Sequence, residues 1–283
     1  EIRHAISSMK SRTTQGPDSI RSEHLKNLPP VLVNTLARLF TRYLSEWRIP
    51  TQWKTSKTML LLKKGDLHDI GNHRPICLLS VVYKLFTRLI ILNRIDRTLD
   101  EGQPCEQAGF RKGFSTMNHL YTITRHAEVS REYKRPLCLT FINLENAFNS
   151  IEIEAIMEAI GNQGVPTQYI KILRELYKNF TTKISPFYND ICVDVKRGVR
   201  QGDTISPKLF TATLQNVMRT LEWDNMGVKI DGRQIHHLRF ADDIVLITLD
   251  ISQAERMLAG FDIAWRKTDL RLNLKKTMFK KNG

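Results

Sequence analysis

No stretch constrains this chain more than Phe240-Ala241-Asp242-Asp243, because residues 238–240 before the acids and 244–247 after them read as apolar strands. That pattern suits a tight hairpin carrying acids at its tip. An ionised carboxylate resists removal from water, so two acids wedged between buried strands need a compensating partner. A divalent cation is the obvious one. The plain alternative is a solvated, inert Asp-rich turn, which is the better reading of an isolated Asp-Asp pair. The remainder of the chain decides between them.

After Pro29-Pro30, the residues Val33, Leu36, Ala37, Phe40 and Leu44 recur at helical spacing. Residues 58–62 read as a short strand entering the basic turn Lys63-Lys64-Gly65-Asp66, and a helix is expected over 80–99, with Val81, Leu85, Leu89 and Leu92 on one side. Residues 137–142 form a compact apolar strand; 152–160 and 168–177 read as helices on either side of a Gly164-Val165-Pro166 break. Ser206-Pro207 predicts another helix, with Ser206 as N-cap, Pro207 at the first helical position and Phe210, Leu214, Val217 and Leu221 as its buried stripe. Ser252-Gln253-Ala254-Glu255 has the form of a capping box for a helix bearing Leu258, Phe261 and Trp265. Residues 270–274 alternate like a closing strand. Hairpins mixed with covering helices make an α+β layer.

Charge and length narrow the partners. The 283 residues are 41% hydrophobic, enough for one large domain or two packed subdomains. Lys and Arg number 43 against 29 Asp and Glu, a net charge of +14 that points to a polyanion, nucleic acid ahead of membrane. No apolar run approaches a membrane span and no signal peptide opens the chain, so no membrane partner is expected. Cys77, Cys105, Cys138 and Cys192 form no C-x-x-C pair; Cys77 and Cys138 sit in apolar runs as small buried hydrophobes. The expectation is a reducing compartment, nucleus or cytoplasm, without a disulfide framework or zinc site. Asn179-Phe180-Thr181 matches a glycosylation sequon by chance. Because the chain opens at Glu1 and stops after Lys280-Lys281-Asn282-Gly283, both ends are expected to be cuts in a longer polypeptide.

Further segments fall in the order and spacing of a known set of blocks, and with them the chain closely resembles the reverse transcriptase domain of non-LTR (LINE-like) retrotransposons. The resemblance implies a right-hand polymerase of α+β class. Fingers would cover residues 1–135 and palm 136–283, the palm holding a small antiparallel sheet backed by helices, with no thumb evident. Lys63, in Leu62-Lys63-Lys64-Gly65-Asp66, and Arg74, in Asn72-His73-Arg74-Pro75-Ile76, match blocks that grip the incoming triphosphate. The chemistry agrees, since Arg offers a rigid fork for phosphate oxygens and Lys a compact point charge. Arg111, in Gln107-Ala108-Gly109-Phe110-Arg111-Lys112-Gly113, matches a block whose implied role is template contact. Phe148 stands where the family keeps an aromatic gate beside the sugar; simple core packing is its alternative. In Arg200-Gln201-Gly202-Asp203-Thr204-Ile205-Ser206-Pro207, Gln201 and Gly202 would lie against the nascent base pair, where glycine permits close approach. Lys276, in Lys275-Lys276-Thr277, matches a late basic block on the substrate phosphate. Asp269 stands where the family usually has Gly.

The implied reaction is attack of a primer 3′-hydroxyl on the α-phosphate of a deoxynucleoside triphosphate (dNTP) over an RNA template, with Mg2+ ions, or Mn2+, as cofactor. Asp242 and Asp243 match the metal-binding hairpin. In Phe141-Ile142-Asn143-Leu144-Glu145-Asn146-Ala147-Phe148-Asn149-Ser150, however, Asn143 occupies the first palm position, where the family carries Asp. An amide oxygen brings no charge, and a unit charge pair at 4 Å is worth roughly 4 kcal/mol at an effective dielectric of 20. Each ~1.36 kcal/mol is tenfold in rate, so orders of magnitude are at stake. Glu145, two residues along the same strand, would face the same side but sit roughly 6–7 Å too far on. Asn149, where Asp is usual, would cap the helix near Glu152 as well as Asp does. An impaired polymerase and a catalytically inactive nucleic-acid-binding remnant both remain open.

Overall fold

Pro30 fixes φ for the first turn of a helix that then runs Pro30–Glu46, ending where Trp47 turns left-handed at φ 53°. Its apolar stripe buries Val33 and Phe40 as the spacing predicts. Phe40 is 1% exposed and meets Phe86 edge-on at 5.3 Å and Trp53 at 6.2 Å. The helix expected over 80–99 is present as Val81–Phe86, a π-helical stretch Thr87–Leu92 and Asn93–Glu101, its start capped by the Ser80 hydroxyl accepting from Tyr83 N–H. The computed structural model describes residues 1–185, 189–223, 225–230 and 232–281; the expected chain end at Asn282 and Gly283 lies outside them.

Two four-stranded sheets organise the described residues. The first has the order β2-β1-β4-β5, from β1 (Thr55–Leu62), β2 (His73–Leu78), β4 (Phe180–Ile184) and β5 (Ile191–Val195). Here β1 runs antiparallel to β2 and parallel to β4, so this sheet joins strands from either side of residue 135. Buried hydroxyls tie the parallel seam: Ser56 donates to Thr182 at 2.7 Å and Thr58 lies 2.7 Å from the same oxygen. The second sheet, β10-β3-β9-β8, comes from β3 (Cys138–Ile142), β8 (His237–Phe240), β9 (Asp243–Thr248) and β10 (Met278–Lys281), all antiparallel. The helix Ile251–Arg266 packs on β9 and β3, and Ser206–Met218 packs on Ile153–Asn162. A small antiparallel palm sheet backed by helices is therefore present. The strands β6 (Val228–Ile230) and β7 (Arg233–Ile235) make a separate hairpin.

Several local expectations shift. Ser206 is the first helical residue rather than the cap; it is 1% exposed with its hydroxyl 3.4 Å from that of Tyr177. Leu221 falls beyond that helix, half-buried against the core. Asp250, not Ser252, caps the next helix, its carboxylate accepting from Gln253 N–H at 2.7 Å. Gln253 is then drawn into a tertiary tether, accepting from Gly227 N–H at 3.0 Å. Residues 270–274 are not a strand. They make one bridge, Leu144↔Leu272, before a turn, and the strand beside β3 is β10 instead. Cys138 is buried as expected, whereas Cys77 is only half-buried. Among the described residues no helix is long and apolar enough to cross a membrane.

Because Phe40 is nearly inaccessible and packs edge-on against two other rings, Phe40→Ala is expected to lower unfolding stability by about 3–5 kcal/mol in a denaturant titration.

Candidate active site

The acid pair sits where the sequence implies, at the tip of the β8–β9 hairpin, whose closing pair is Phe240↔Asp243. The two-residue loop forces Ala241 to φ 58°, unusual for a residue with a Cβ, and buries it to 4% exposure. Asp242 is half-buried and Asp243 more open. Partial burial, and then the neighbouring Asp242 charge, push the Asp243 carboxyl above the ordinary carboxylate range. On the adjoining strand the last ladder pair is Ile142↔Ile244, so Asn143 and Asp243 follow it as neighbours at the strand ends. The chain leaves β3 at Ile142, which removes the premise for Glu145: it lies in a bend, not two positions along a strand. There its N–H donates to Arg271 C=O at 2.9 Å, while Asn143 C=O accepts from Asn273 N–H at 2.8 Å.

These ends open into a cavity of about 910 Å³. Lys63 and Arg74 come to its wall from β1–β2, and Phe148, Gln201, Gly202 and Lys276 join Asn143, Asp242 and Asp243. All nominated residues but Arg111 thus share one concavity. The guanidinium of Arg111 is directed into its own chain, donating to Pro104 C=O at 2.7 Å and Gln107 C=O at 3.1 Å, with Phe114 4.2 Å away beneath it. Phe148 is both packed and exposed to the cavity: it stacks on buried Phe210 at 4.3 Å and 18°.

Gly202 has a structural reason that the sequence did not show. It lies at φ 104°, and a Cβ there would come 2.7 Å from Cys77 C=O. The adjacent Gln201 C=O accepts from Cys77 N–H at 2.7 Å, fastening this loop to β2. Below it Arg200, 3% exposed, lies over the Phe180 ring at 3.7 Å and donates to the Tyr83 hydroxyl, which donates to Asp203 at 2.5 Å. Burial pushes the Asp203 carboxyl up and Tyr177 to about 12. Asn149 is no cap: it belongs to the short helix Ala147–Ser150 and accepts from the Gln201 amide at 3.1 Å. Asp269 takes up the left-handed conformation, φ 61°, that glycine favours, and pairs with Arg197.

The cavity also includes Phe110 and Lys64, which the sequence reading did not single out. Phe110 follows Gly109 in a nominated block, but its orientation depends on φ 60°, which no pattern encodes. Among the described residues no group of three or more His, Cys, Asp or Glu is gathered for a metal ion. The site offers the Asp242 and Asp243 carboxylates with the Asn143 carboxamide beside them, in a cavity whose lining also holds Glu145, Lys63, Lys64, Arg74 and Lys276. A concave site lined by fixed cations concentrates anionic ligands.

Residues 61–282 match the reverse transcriptase (RNA-dependent DNA polymerase) family. A probable RNA-directed DNA polymerase from transposon BS of Drosophila melanogaster is 28% identical over 252 residues, 87% of this chain and 27% of that protein. A Pol polyprotein from the type-1 retrotransposable element R2 of Popillia japonica is 26% identical, across 83% of this chain and 33% of its own length. The chain thus spans about a third or less of these relatives. In fold it is similar to apo telomerase from Candida tropicalis truncated from its C-terminal domain, with a TM-score of 0.60 at 15% identity, covering 95% of this chain and 58% of that one. The fingers-and-palm class expected from the sequence is borne out.

Since the folded protein holds the Asp243 proton more tightly than the unfolded chain, this group detracts from stability once pH rises through its folded pKa, and the loss is relieved below it. Removing the like charge with Asp242→Asn is expected to bring the Asp243 pKa down toward, but not to, the ordinary value, because burial remains; a carboxyl-carbon NMR titration measures it.

Proposed function

The chain belongs to the reverse transcriptase (RNA-dependent DNA polymerase) family, and we propose that it is the fingers-and-palm part of a non-LTR polymerase that extends a DNA primer with dNTPs on an RNA template, impaired in this copy by Asn143. One observation carries the reading: stretches far apart in sequence bring Asn143, Asp242, Asp243, Lys63, Lys64, Arg74 and Lys276 to a single cavity. In this reading residues 1–135 serve as fingers and 136–283 as palm, working in the nucleus or cytoplasm.

Lys63, Arg74 and Lys276 bind the triphosphate, the guanidinium as a fork and the ammonium groups as point charges. Phe148, braced by Phe210, packs beside the sugar and resists a 2′-hydroxyl by bulk. Gln201 and Gly202 form the surface under the nascent base pair, held in place by Cys77. Arg111 reaches template only by giving up its internal carbonyls, so its part is to shape the segment that would meet the template.

The donor set fits a hard divalent cation, because carboxylate and carboxamide oxygens are the ligands such ions accept. Asp242, Asp243 and the Asn143 oxygen would hold Mg2+ or Mn2+, which supplies charge to the transferring phosphate. The raised Asp243 carboxyl is consistent with this assignment, since a cation offsets both its partial burial and the neighbouring Asp242 charge. With Asn143 the site carries one negative charge fewer than the family pattern.

That same substitution favours a second reading, a nucleic-acid-binding remnant that keeps the basic cavity without the chemistry. Primer extension on an RNA template in Mg2+ separates the two. Asn143→Asp is expected to raise extension by up to about 10³-fold. Extension absent from both proteins, with folding and template binding intact, would sink the polymerase assignment. Binding to a primer–template duplex is expected to weaken steeply as salt rises, through released counterions; affinity indifferent to ionic strength would count against both readings.

A further inference from the structure

We propose that Gln107 is the positioning residue of the acid pair, holding the Ala241 turn that carries Asp242. Its side chain is 0% exposed, and one oxygen, Oε1, accepts two backbone N–H groups, from Gly109 at 2.9 Å and from Ala241 at 3.3 Å. The acid turn is thereby tied to a segment more than a hundred residues away, rather than standing on its own hairpin alone.

The surrounding backbone enforces the same attachment. Gln107 pairs with Arg239 in a parallel bridge; Arg239 N–H donates to Glu106 C=O at 2.8 Å and Ala108 N–H donates to Arg239 C=O at 3.0 Å. Residues 106–108 are therefore fastened alongside β8 at this one bridge. At Gly109 the two chains touch: a Cβ there would lie 2.3 Å from Ala241 N. The far side of the segment is held by Arg111, whose guanidinium donates to the carbonyls of Gln107 and Pro104.

Such bracing answers a specific physical need. Adjacent carboxylates repel when no cation lies between them, and Ala241 sits in a conformation that a residue with a Cβ adopts only when its surroundings impose it. A shared acceptor on the two N–H groups fixes the turn without adding charge near the acids. A glutamine supplies this; a carboxylate in its place would keep the acceptor but add a third negative charge.

The inference rests on the polymerase reading of the site, and its test uses Mn2+ alone as the probe. Mn2+ binding is measured by electron paramagnetic resonance for the unaltered chain, Gln107→Met, which keeps the side-chain length and removes the acceptor, and Gln107→Glu, which restores it. Amide hydrogen exchange at Ala241 and Gly109 is followed in parallel. Loss of a residue that orients ligands typically weakens metal affinity by about 10–100-fold, and that range is expected for Gln107→Met, with exchange at both amides accelerated beyond what any drop in the unfolding midpoint accounts for. Gln107→Glu is expected to recover most of the affinity. If Gln107→Met does not fold, exchange in the unaltered chain decides: slow exchange at Ala241 and Gly109 is expected, and fast exchange at Ala241 overturns the proposal. Unchanged Mn2+ affinity, unchanged exchange, or an affinity loss that merely follows global stability would overturn the proposal while leaving the site reading intact. An unaltered chain that binds no Mn2+ would overturn the site reading itself, and the positioning role with it.

Discussion

The antiparallel register of β3 on β9 is the constraint from which the rest of the molecule follows. Its pairs run from Cys138↔Thr248 to Ile142↔Ile244, and the next residues outward are Asn143 and Asp243. Side chains alternate along a strand, so a slip of one residue would exchange the two faces throughout the sheet. Ile142, Ile244 and Leu246 pack into the main core while Leu139, Leu238 and Ile247 pack into a separate smaller cluster, and a slip would misplace both sets. Hydrophobic burial thus sets the register, and the register delivers the polar residues to a common edge.

A single edge of polar groups is not yet a cavity. The opposing wall comes from the other sheet, to which the loop 200–203 is fastened. Gln201 clips to the Cys77 backbone, Gly202 fits against it without a side chain, and Arg200 and Asp203 descend into the core around Tyr83. Burying a guanidinium and a carboxylate is unfavourable unless both are partnered. Tyr83 bridges them, and the rings of Phe180 and Tyr177 cover the cation at 3.7 and 4.5 Å. The parallel β1–β4 pairing then carries Lys63 and Arg74 to the opening from the same framework.

Elements with a strong local period were legible in advance. The helices Pro30–Glu46 and Thr167–Tyr177, and the acid-tipped hairpin, fall within a residue or two of the sequence reading because their apolar spacing and their Pro and turn signals agree. The misreadings share a cause: a local signal lost to a tertiary partner. Ser252 had the form of a cap, yet Asp250 makes the bond while Gln253 turns to Gly227. The alternation at 270–274 suggested a strand, yet that segment spends its hydrogen bonds on the irregular backbone at Asn143 and Glu145. Asn149 had cap chemistry but was engaged by Gln201. Phe110 went unremarked because its place in the cavity wall depends on a positive φ imposed by neighbours.

By itself the sequence determined the class of fold, the acids at a hairpin tip, the basic character of their surroundings and the missing charge at residue 143. These are properties of residue type and short-range spacing. Tertiary structure decided which of the nominated residues meet: it brought Lys63, Arg74, Gln201 and Lys276 around the acids and turned Arg111 toward the Pro104 and Gln107 carbonyls. It also decided that the acid turn leans on Gln107. The reason is that convergence and hydrogen-bond partnership between segments a hundred residues apart depend on register and packing, which no local pattern of side chains contains.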